Sequence, residues 1–492
     1  MVYLPPIGTH IAAWNSKTGL LPGSAGALRV SSVRLVAAII AGKLVAFVSR
    51  HLNLGGGTTF PGQVTRRIDP RALEKMTARL EQGCIIVTGT NGKTTTTRMI
   101  SNILRHAGFK PVHNRSGANL ITGVTSAILN SSSLLGQPRG DVGLFEVDEA
   151  NLPRTLAETH PKVVVINNLF RDQLDRYGEI DYVAGLWRGA LQTLPPSACV
   201  VLNADDPLVA SLGKSTRARV LYFGIEDERY GNQILEHAAD SKSCVNCGAR
   251  YVYDVAFYGH VGKYACPVCG EKRPLPNLYA AHLMLASTSG SELSLSTPDG
   301  PLEVKVSLPG LYNVYNTLAA AATGFALDIP VVAIKQGVDT FSAAFGRIER
   351  VAIGDKMVFL ALVKNPVGFN EVLRTLFLDG LPKNLLILIN DNIADGTDIS
   401  WLWDVDFEAL QGQVNSVVIS GTRAEDMAVR LKYALVDTAA ISLETDLDKA
   451  LQAGLTNVGE GGTLYVLPTY TAMLEIRALM QKMGYVGKFW QD

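Results

Sequence analysis

The segment CIIVTGTNGKTTTTRMISNIL (84–104) constrains the fold most. A β-branched apolar run, a turn with two glycines, a lysine and four threonines lead without interruption into a helical stretch. That order specifies a buried strand, a tight loop and a helix, the context in which backbone N–H groups and a helix N-terminus face a phosphate. Lys93 is then placed to reach β- and γ-phosphates as a point charge, and Thr94 or Thr95 to hold Mg²⁺ through a hydroxyl. The generic eight-residue phosphate loop needs a glycine where this chain has Val87, so the loop is the shorter Gly89-Thr90-Asn91-Gly92-Lys93-Thr94. A chance glycine turn would not bring strand, loop, lysine, threonines and helix together.

From 84 onward, short β-branched runs alternate with helical stretches, which predicts a parallel sheet in an α/β fold. CIIVTG (84–89), VGLFEVD (142–148), KVVVINN (162–168) and ACVVLNAD (198–205) read as buried strands. On an alternating strand, Glu146 and Asp148 share a face. A carboxylate within LFEV is costly to bury without a cation, which makes Glu146 the expected acidic partner of a magnesium ion. Asp148 and Glu149 have the simpler role of capping the helix that follows. A β-like stretch (291–308) leads into the helix LYNVYNTLAAAATGFAL (311–327). After GRIER a second α/β series begins, with MVFLALV (357–363), NLLILIND (384–391), NSVVISG (415–421) and GTLYVLP (462–468).

Composition adds a second constraint. Of only six cysteines, four form Cys244-x2-Cys247 and Cys266-x2-Cys269, separated by eighteen residues. This is four-cysteine zinc spacing, in an insertion at about 230–280. Both pairs run into glycine, which lets the chain turn tightly around the thiolates. Four thiolates close the tetrahedron, so the expected zinc is structural. Five Lys/Arg against four Asp/Glu between 231 and 275 give no basic patch, and the whole chain is formally neutral. No nucleic-acid partner is therefore expected. Tyr251, Tyr253, Phe257, Tyr258 and Tyr264 are expected to pack the ribbon or its contact with the body. Cys84 and Cys199 read as buried hydrophobes. So sparse a cysteine count argues against a disulfide scaffold and for a reducing, cytoplasmic setting.

VSSVRLVAAIIAGKLVAFVSRHL (30–52) reads as a helix. Its apolar residues go most of the way round, which favours packing on the body. Arg34, Lys43 and Arg50 leave an interfacial helix at the membrane surface as the alternative. The expected division is an N-terminal extension and helix (1–54), a central ATP-binding domain (55–345) and a smaller Rossmann-like C-terminal domain (346–492).

With these motifs assembled, the chain resembles the Mur ligases. GTNGKTTT (89–96), FEVDEA (145–150), DQLDRYGEID (172–181), LNADDP (202–207), GLYNVYN (310–316) and GRIE (346–349) fall in the order of that family. The resemblance implies ATP-dependent activation of a carboxylate as an acyl phosphate, followed by attack of an amine. The four-cysteine insertion, LVKNPVGFNE (362–371) and NDNIADGTDISWLWD (390–404) are similar to the MurT group within it. That likeness implies the synthetase subunit of a glutamine-dependent amidotransferase. Its partner would be a GatD-like glutaminase, and its substrate the D-glutamate α-carboxylate of lipid II, a lipid-linked peptidoglycan precursor.

The amino-acid-adding members carry a histidine where this chain has Gln173, and a lysine, carbamylated to bridge metals, a little further on. No lysine occurs from 171 to 200. This suits ammonia as the nucleophile. A glutaminase needs an activated cysteine, and neither Cys84 nor Cys199 is suitable. The resemblance implies that Asp398 completes the partner's Cys–His pair. It also implies nucleotide contacts from Asn313, Asn316, Asp205 and Asp206, and phosphate contacts from Arg347 and Lys364. The alternatives are an amino-acid-adding Mur or folylpolyglutamate-type ligase and, from another class, a nucleotide-binding zinc-ribbon adaptor without catalysis.

Overall fold

Strand-forming runs buried on both faces can only pair side by side beneath two layers of helices. The computed structural model describes residues 33–51, 59–114, 117–171, 180–233, 235–236, 238–342 and 348–487 of the 492. In chain order, β1 (Cys84–Thr88), β2 (Pro111–His113), β3 (Val142–Glu146), β4 (Val163–Ile166), β5 (Cys199–Asn203) and β6 (Arg219–Ile225) are the parallel strands of a first sheet. β7 (Val252–Tyr258) and β8 (Val261–Ala265) form a separate antiparallel ribbon. β9 (Leu278–Ala286) then rejoins the sheet parallel to β6, and β10 (Gly290–Thr297) and β11 (Gly300–Val306) extend it antiparallel. The order among the described residues is β11-β10-β9-β6-β5-β4-β1-β3-β2. The cysteine-rich segment is therefore inserted between two neighbouring strands.

Alternation along β1 divides its side chains between two cores. Ile85 and Val87 meet Met99, Ile100 and Ile103 of the helix Lys93–His106 and the helix Leu311–Ala326. Cys84 and Ile86 meet Leu73, Leu152 and the fully buried Trp187 on the other face. Leu35 and Ile39 of the helix Val33–His51 join that second core, and this helix packs on the helices Phe60–Ile68 and Ile121–Asn130. Its outer side exposes Ile40, Leu44 and Phe47 by half or more. No helix among the described residues is long and apolar enough to cross a membrane.

A second sheet follows: β12 (Ile348–Ile353), β13 (Lys356–Ala361), β14 (Lys383–Leu388), β15 (Val414–Ser420), β16 (Ile441–Leu443) and β17 (Thr463–Pro468), ordered β12-β13-β17-β14-β15-β16. Only β12 pairs antiparallel. Leu385 and Ile387 face one core, Leu386 and Leu388 the other. The expected strand at 142–148 stops at Glu146, because Asp148 leaves the ladder to accept a hydrogen bond from the Ala150 N–H as a helix cap. Arg347, Gln173 and most of DQLDRYGEID, the side chain of Arg50, and residues 1–32 lie outside the described residues.

Candidate active site

β1 ends beside β3 and β4, so the loop after it is flanked by the C-terminal ends of both neighbours. Gly92 enters the helix at φ +83°, and a Cβ there would lie 1.9 Å from Asn316 Oδ1. Only glycine permits that approach and that backbone conformation. Gly92→Ala should weaken ADP binding at least about tenfold and lower stability by about 1–3 kcal/mol, measured by titration calorimetry and urea unfolding.

Lys93 is 6% exposed; its Nζ donates to Gly89 O at 2.5 Å and to Glu149 Oε1 at 2.7 Å. The sequence assigned Glu149 only to capping, whereas it is the buried counter-charge of the loop lysine. Glu146 stands where it was expected: Thr94 Oγ1 donates to its Oε2 at 2.8 Å. Asn114 Nδ2 donates to Glu146 O, and the Glu146 N–H donates to Asn114 Oδ1. A hydroxyl and a carboxylate thus converge at the helix start, oxygen donors of the kind magnesium takes alongside its waters.

The loop is braced from β4, a contribution the sequence reading missed. Asn168 Oδ1 accepts from the Asn91 N–H at 2.8 Å, and Asn167 Nδ2 donates to Thr96 Oγ1 at 2.9 Å. Both lie just beyond the end of a strand adjacent to β1, and strand ends are where such folds place ligands. That rule would have found them. The Thr90 hydroxyl is tied to the Phe170 backbone, and the Thr90 N–H donates to Asn168 O, so this residue braces the loop.

A cleft opens at the loop. Asn91, Gly92 and Thr95 line one side, with Asn313 and Asn316 of the helix Leu311–Ala326. The C-terminal sheet and the helix Pro366–Leu376 contribute Ile348, Leu362, Lys364 and Glu371. Contacts at the loop tie the walls: Lys364 Nζ donates to Thr90 O at 3.4 Å, and Asn365 Nδ2 donates to Asn91 Oδ1 at 3.1 Å. Asn313, Asn316 and Lys364 are therefore gathered at the cleft as expected.

Asp205 and Asp206 are not. Both are fully buried. Asp205 accepts from Arg273 Nε, the Tyr315 hydroxyl and the Ile225 N–H. Asp206 accepts from the Leu169 N–H and caps the helix Pro207–Ser211. Every oxygen is taken by the protein, so their expected contact with a nucleotide is replaced by a role in fixing the ribbon and the sheet.

The four insertion cysteines bring their Sγ atoms within 4.8 Å of one another. Cys244 and Cys269 are 3.6 Å apart, Cys247 and Cys266 3.5 Å. Disulfides need about 2.05 Å, whereas four thiolates about 2.3 Å from one zinc ion stand nearly this far apart. Gly248 and Gly270 take φ +76° and +75° just after Cys247 and Cys269, giving two matching turns. The residues fit zinc. Tyr251, Tyr253 and Tyr264 pack on each other behind the cluster, while Phe257 and Tyr258 pack on Tyr315 of the body. Burial pushes the Cys84 thiol up to about 12 and raises Cys199 too, so neither is an activated nucleophile.

The acidic loop after β14 sorts its carboxylates. Asp395 is buried and accepts from the Thr471 N–H and hydroxyl. Asp391 accepts from the Thr422 hydroxyl, and Asp404 pairs with Arg171. Asp398 accepts only locally, from Ser400, whose hydrogen bonds hold its carboxyl below the usual range. Ile393 and Trp403 of the same segment are exposed.

The two sheets, the loop between β1 and its helix, and the cleft at their junction define a Mur-type ligase. The Mur ligase middle domain model matches residues 87–324, and the MurT ligase C-terminal model matches 362–473. The chain is 35% identical to the lipid II isoglutaminyl synthase (glutamine-hydrolyzing) subunit MurT of Streptococcus pneumoniae, over 92% of this chain and 98% of that one. It is 34% identical to the Staphylococcus aureus N315 subunit of the same name, covering 85% and 91%. The chain belongs to the MurT family. Among solved structures, a pseudomurein peptide ligase type C from Methanothermus fervidus matches with TM-score 0.63 at 24% identity, covering 82% of this chain and 79% of that one. MurF ligase from Thermotoga maritima in complex with ADP matches with TM-score 0.60 at 13% identity, covering 86% and 84%. These two support the fold.

Proposed function

We propose that this chain is the synthetase subunit of a lipid II isoglutaminyl synthase, a glutamine-dependent carbon–nitrogen ligase of peptidoglycan biosynthesis. The observation that carries the proposal is the joining of a phosphate loop with buried Lys93, Thr94 and Glu146 to a C-terminal sheet of MurT type. Residues 55–345 hold ATP, and 346–492 close the cleft and meet the partner. An oxygen of the D-glutamate α-carboxylate displaces ADP from the γ-phosphorus to give an acyl phosphate. Ammonia then attacks its carbonyl carbon, phosphate leaves with the C–O bonding pair, and the nitrogen loses a proton to yield D-isoglutamine.

Gly89, Thr90, Asn91, Gly92, Lys93, Thr94 and Thr95 receive the phosphates. Lys93 turns from Glu149 toward them and neutralises charge on the transferred group. Magnesium, held by Thr94 and Glu146, would supply further neutralisation of that charge. Asn313 and Asn316 position the nucleotide, and Arg347 and Lys364 contact phosphate. The cysteine cluster holds a structural zinc.

A GatD-like glutaminase supplies the ammonia, because the described cysteines offer no nucleophile of their own. Asp398, partly exposed in the same segment as Ile393 and Trp403, has no long-range hydrogen-bond partner among the described residues and orients the partner's histidine. Asp398→Asn should cut glutamine-driven amidation of lipid II by roughly 10³–10⁴-fold, yet leave amidation from ammonium in place. Chromatography of stem peptides from the reconstituted pair measures both, and equal loss would remove the shared triad. The exposed stripe of Ile40, Leu44 and Phe47, with Lys43 beside it, rests peripherally on the membrane that carries the substrate.

A further inference from the structure

The helix Pro366–Leu376 brings to the cleft a carboxyl that the phosphoryl chemistry does not use. Glu371 is 2% exposed and lines the cleft with Tyr258, Leu308, Tyr312, Leu362 and Val372. Among the described residues, neither of its carboxyl oxygens has a hydrogen-bond partner. Arg374 Nη1 stands 3.7 Å away, and that guanidinium donates to the carbonyls of Phe257 and Tyr230. A buried polar group left this way is destabilising unless a ligand completes it. The walls around it are aromatic and aliphatic and continue to Gly92 and Asn91 of the phosphate loop. A flat heterocycle attached to a polyphosphate suits that combination.

We propose that Glu371 reads the nucleobase. It takes the amine-bearing edge of adenine, with the exocyclic amine donating to one carboxyl oxygen and a ring nitrogen accepting from the other. This deepens the nucleotide reading of the cleft and rests on it. Burial, opposed by Arg374 and reinforced by Glu236, pushes the Glu371 carboxyl up to about 8, so it is protonated at neutral pH. A protonated carboxyl offers one donor and one acceptor, the complement of adenine's amine and ring nitrogen. An ionised carboxylate would accept only, and would suit the paired donors of guanine instead. Residue type and environment together suit the amine-bearing edge of adenine.

The test is titration of the full-length chain with ADP, with purine riboside diphosphate, which lacks the amine and carries nothing in its place, and with tripolyphosphate, which has no base. The wild-type chain should prefer ADP to purine riboside diphosphate at least about tenfold, the scale of a buried hydrogen bond left unmade. Glu371→Leu and Glu371→Met should shrink that preference to within about twofold and leave tripolyphosphate affinity in place. Glu371→Gln, whose amide keeps one donor and one acceptor, should restore most of the preference. An undiminished preference in the apolar variants would overturn the assignment, as would equal losses for all three ligands. If the wild-type chain bound none of the three, the nucleotide reading itself would fall. If it bound them and the variants kept their preference, only the role of Glu371 would.

Discussion

Lys93→Ala is expected to lower amidation of lipid II at least about 10³-fold, whether glutamine or free ammonium supplies the nitrogen. The lysine is the sole cation among the loop's own residues, 89–94, and acts before either nitrogen source is used. Its loss has a second consequence that must be separated from the first. Glu149 would be left buried with its counter-charge gone, and breaking a buried pair costs roughly 3–5 kcal/mol. The Glu149 carbonyl also accepts from Trp187 Nε1 at 2.9 Å, so strain there reaches the core beneath. The double variant Lys93→Ala/Glu149→Gln should recover most of the lost stability in urea unfolding and none of the activity in the stem-peptide assay. Recovered activity would mean that Lys93 serves only to neutralise Glu149.

Cys266→Ser is expected to strip the chain of about one equivalent of zinc and to unfold the ribbon, because metal binding in such sites is folding free energy, on the order of 10 kcal/mol. The effect should extend beyond the insertion. Arg273, a few residues past the cluster, pairs with Asp205 and Glu226, and Tyr258, at the end of β7, lines the cleft. A melted ribbon therefore releases Asp205, fully buried in the sheet, and removes part of the cleft wall. Metal analysis and thermal unfolding should show the loss of zinc together with a drop in Tm of roughly 10 °C or more, reproduced by a strong chelator acting on the wild-type chain. A chain that keeps its Tm without metal would show the cluster to be dispensable.

The phosphate loop and the cysteine cluster were legible because each is local. Strand, glycines, lysine and threonines occupy consecutive positions, and two Cys-x2-Cys turns need only each other. The buried runs also named four strands in each sheet, to within three residues at their ends, and passed over β2, β6, β9, β12 and β16. What the sequence hid depends on lateral order. Nothing in KVVVINN says that β4 lies beside β1, so the bracing by Asn167 and Asn168 was out of reach until the sheet was assembled. Acidic residues were read least well, because a carboxylate's role is set by its partners. Glu149 looked like a cap and is the lysine's counter-ion; Asp205 and Asp206 looked like ligands and are consumed by Arg273, Tyr315 and backbone amides. Glu371 sits in an unremarkable helical segment, and only its burial without a hydrogen bond marks it.

The cleft is walled by two sheets with separate cores, joined at the loop by Lys364 and Asn365. A nucleotide gripping both walls acts as a splint across a joint, and its binding energy adds to the contacts that already hold the two walls together. Damage deep in either core then registers as weakened binding at a place it never touches. Within this architecture, a poor affinity for nucleotide measures the health of the joint as much as the identity of the residues in contact.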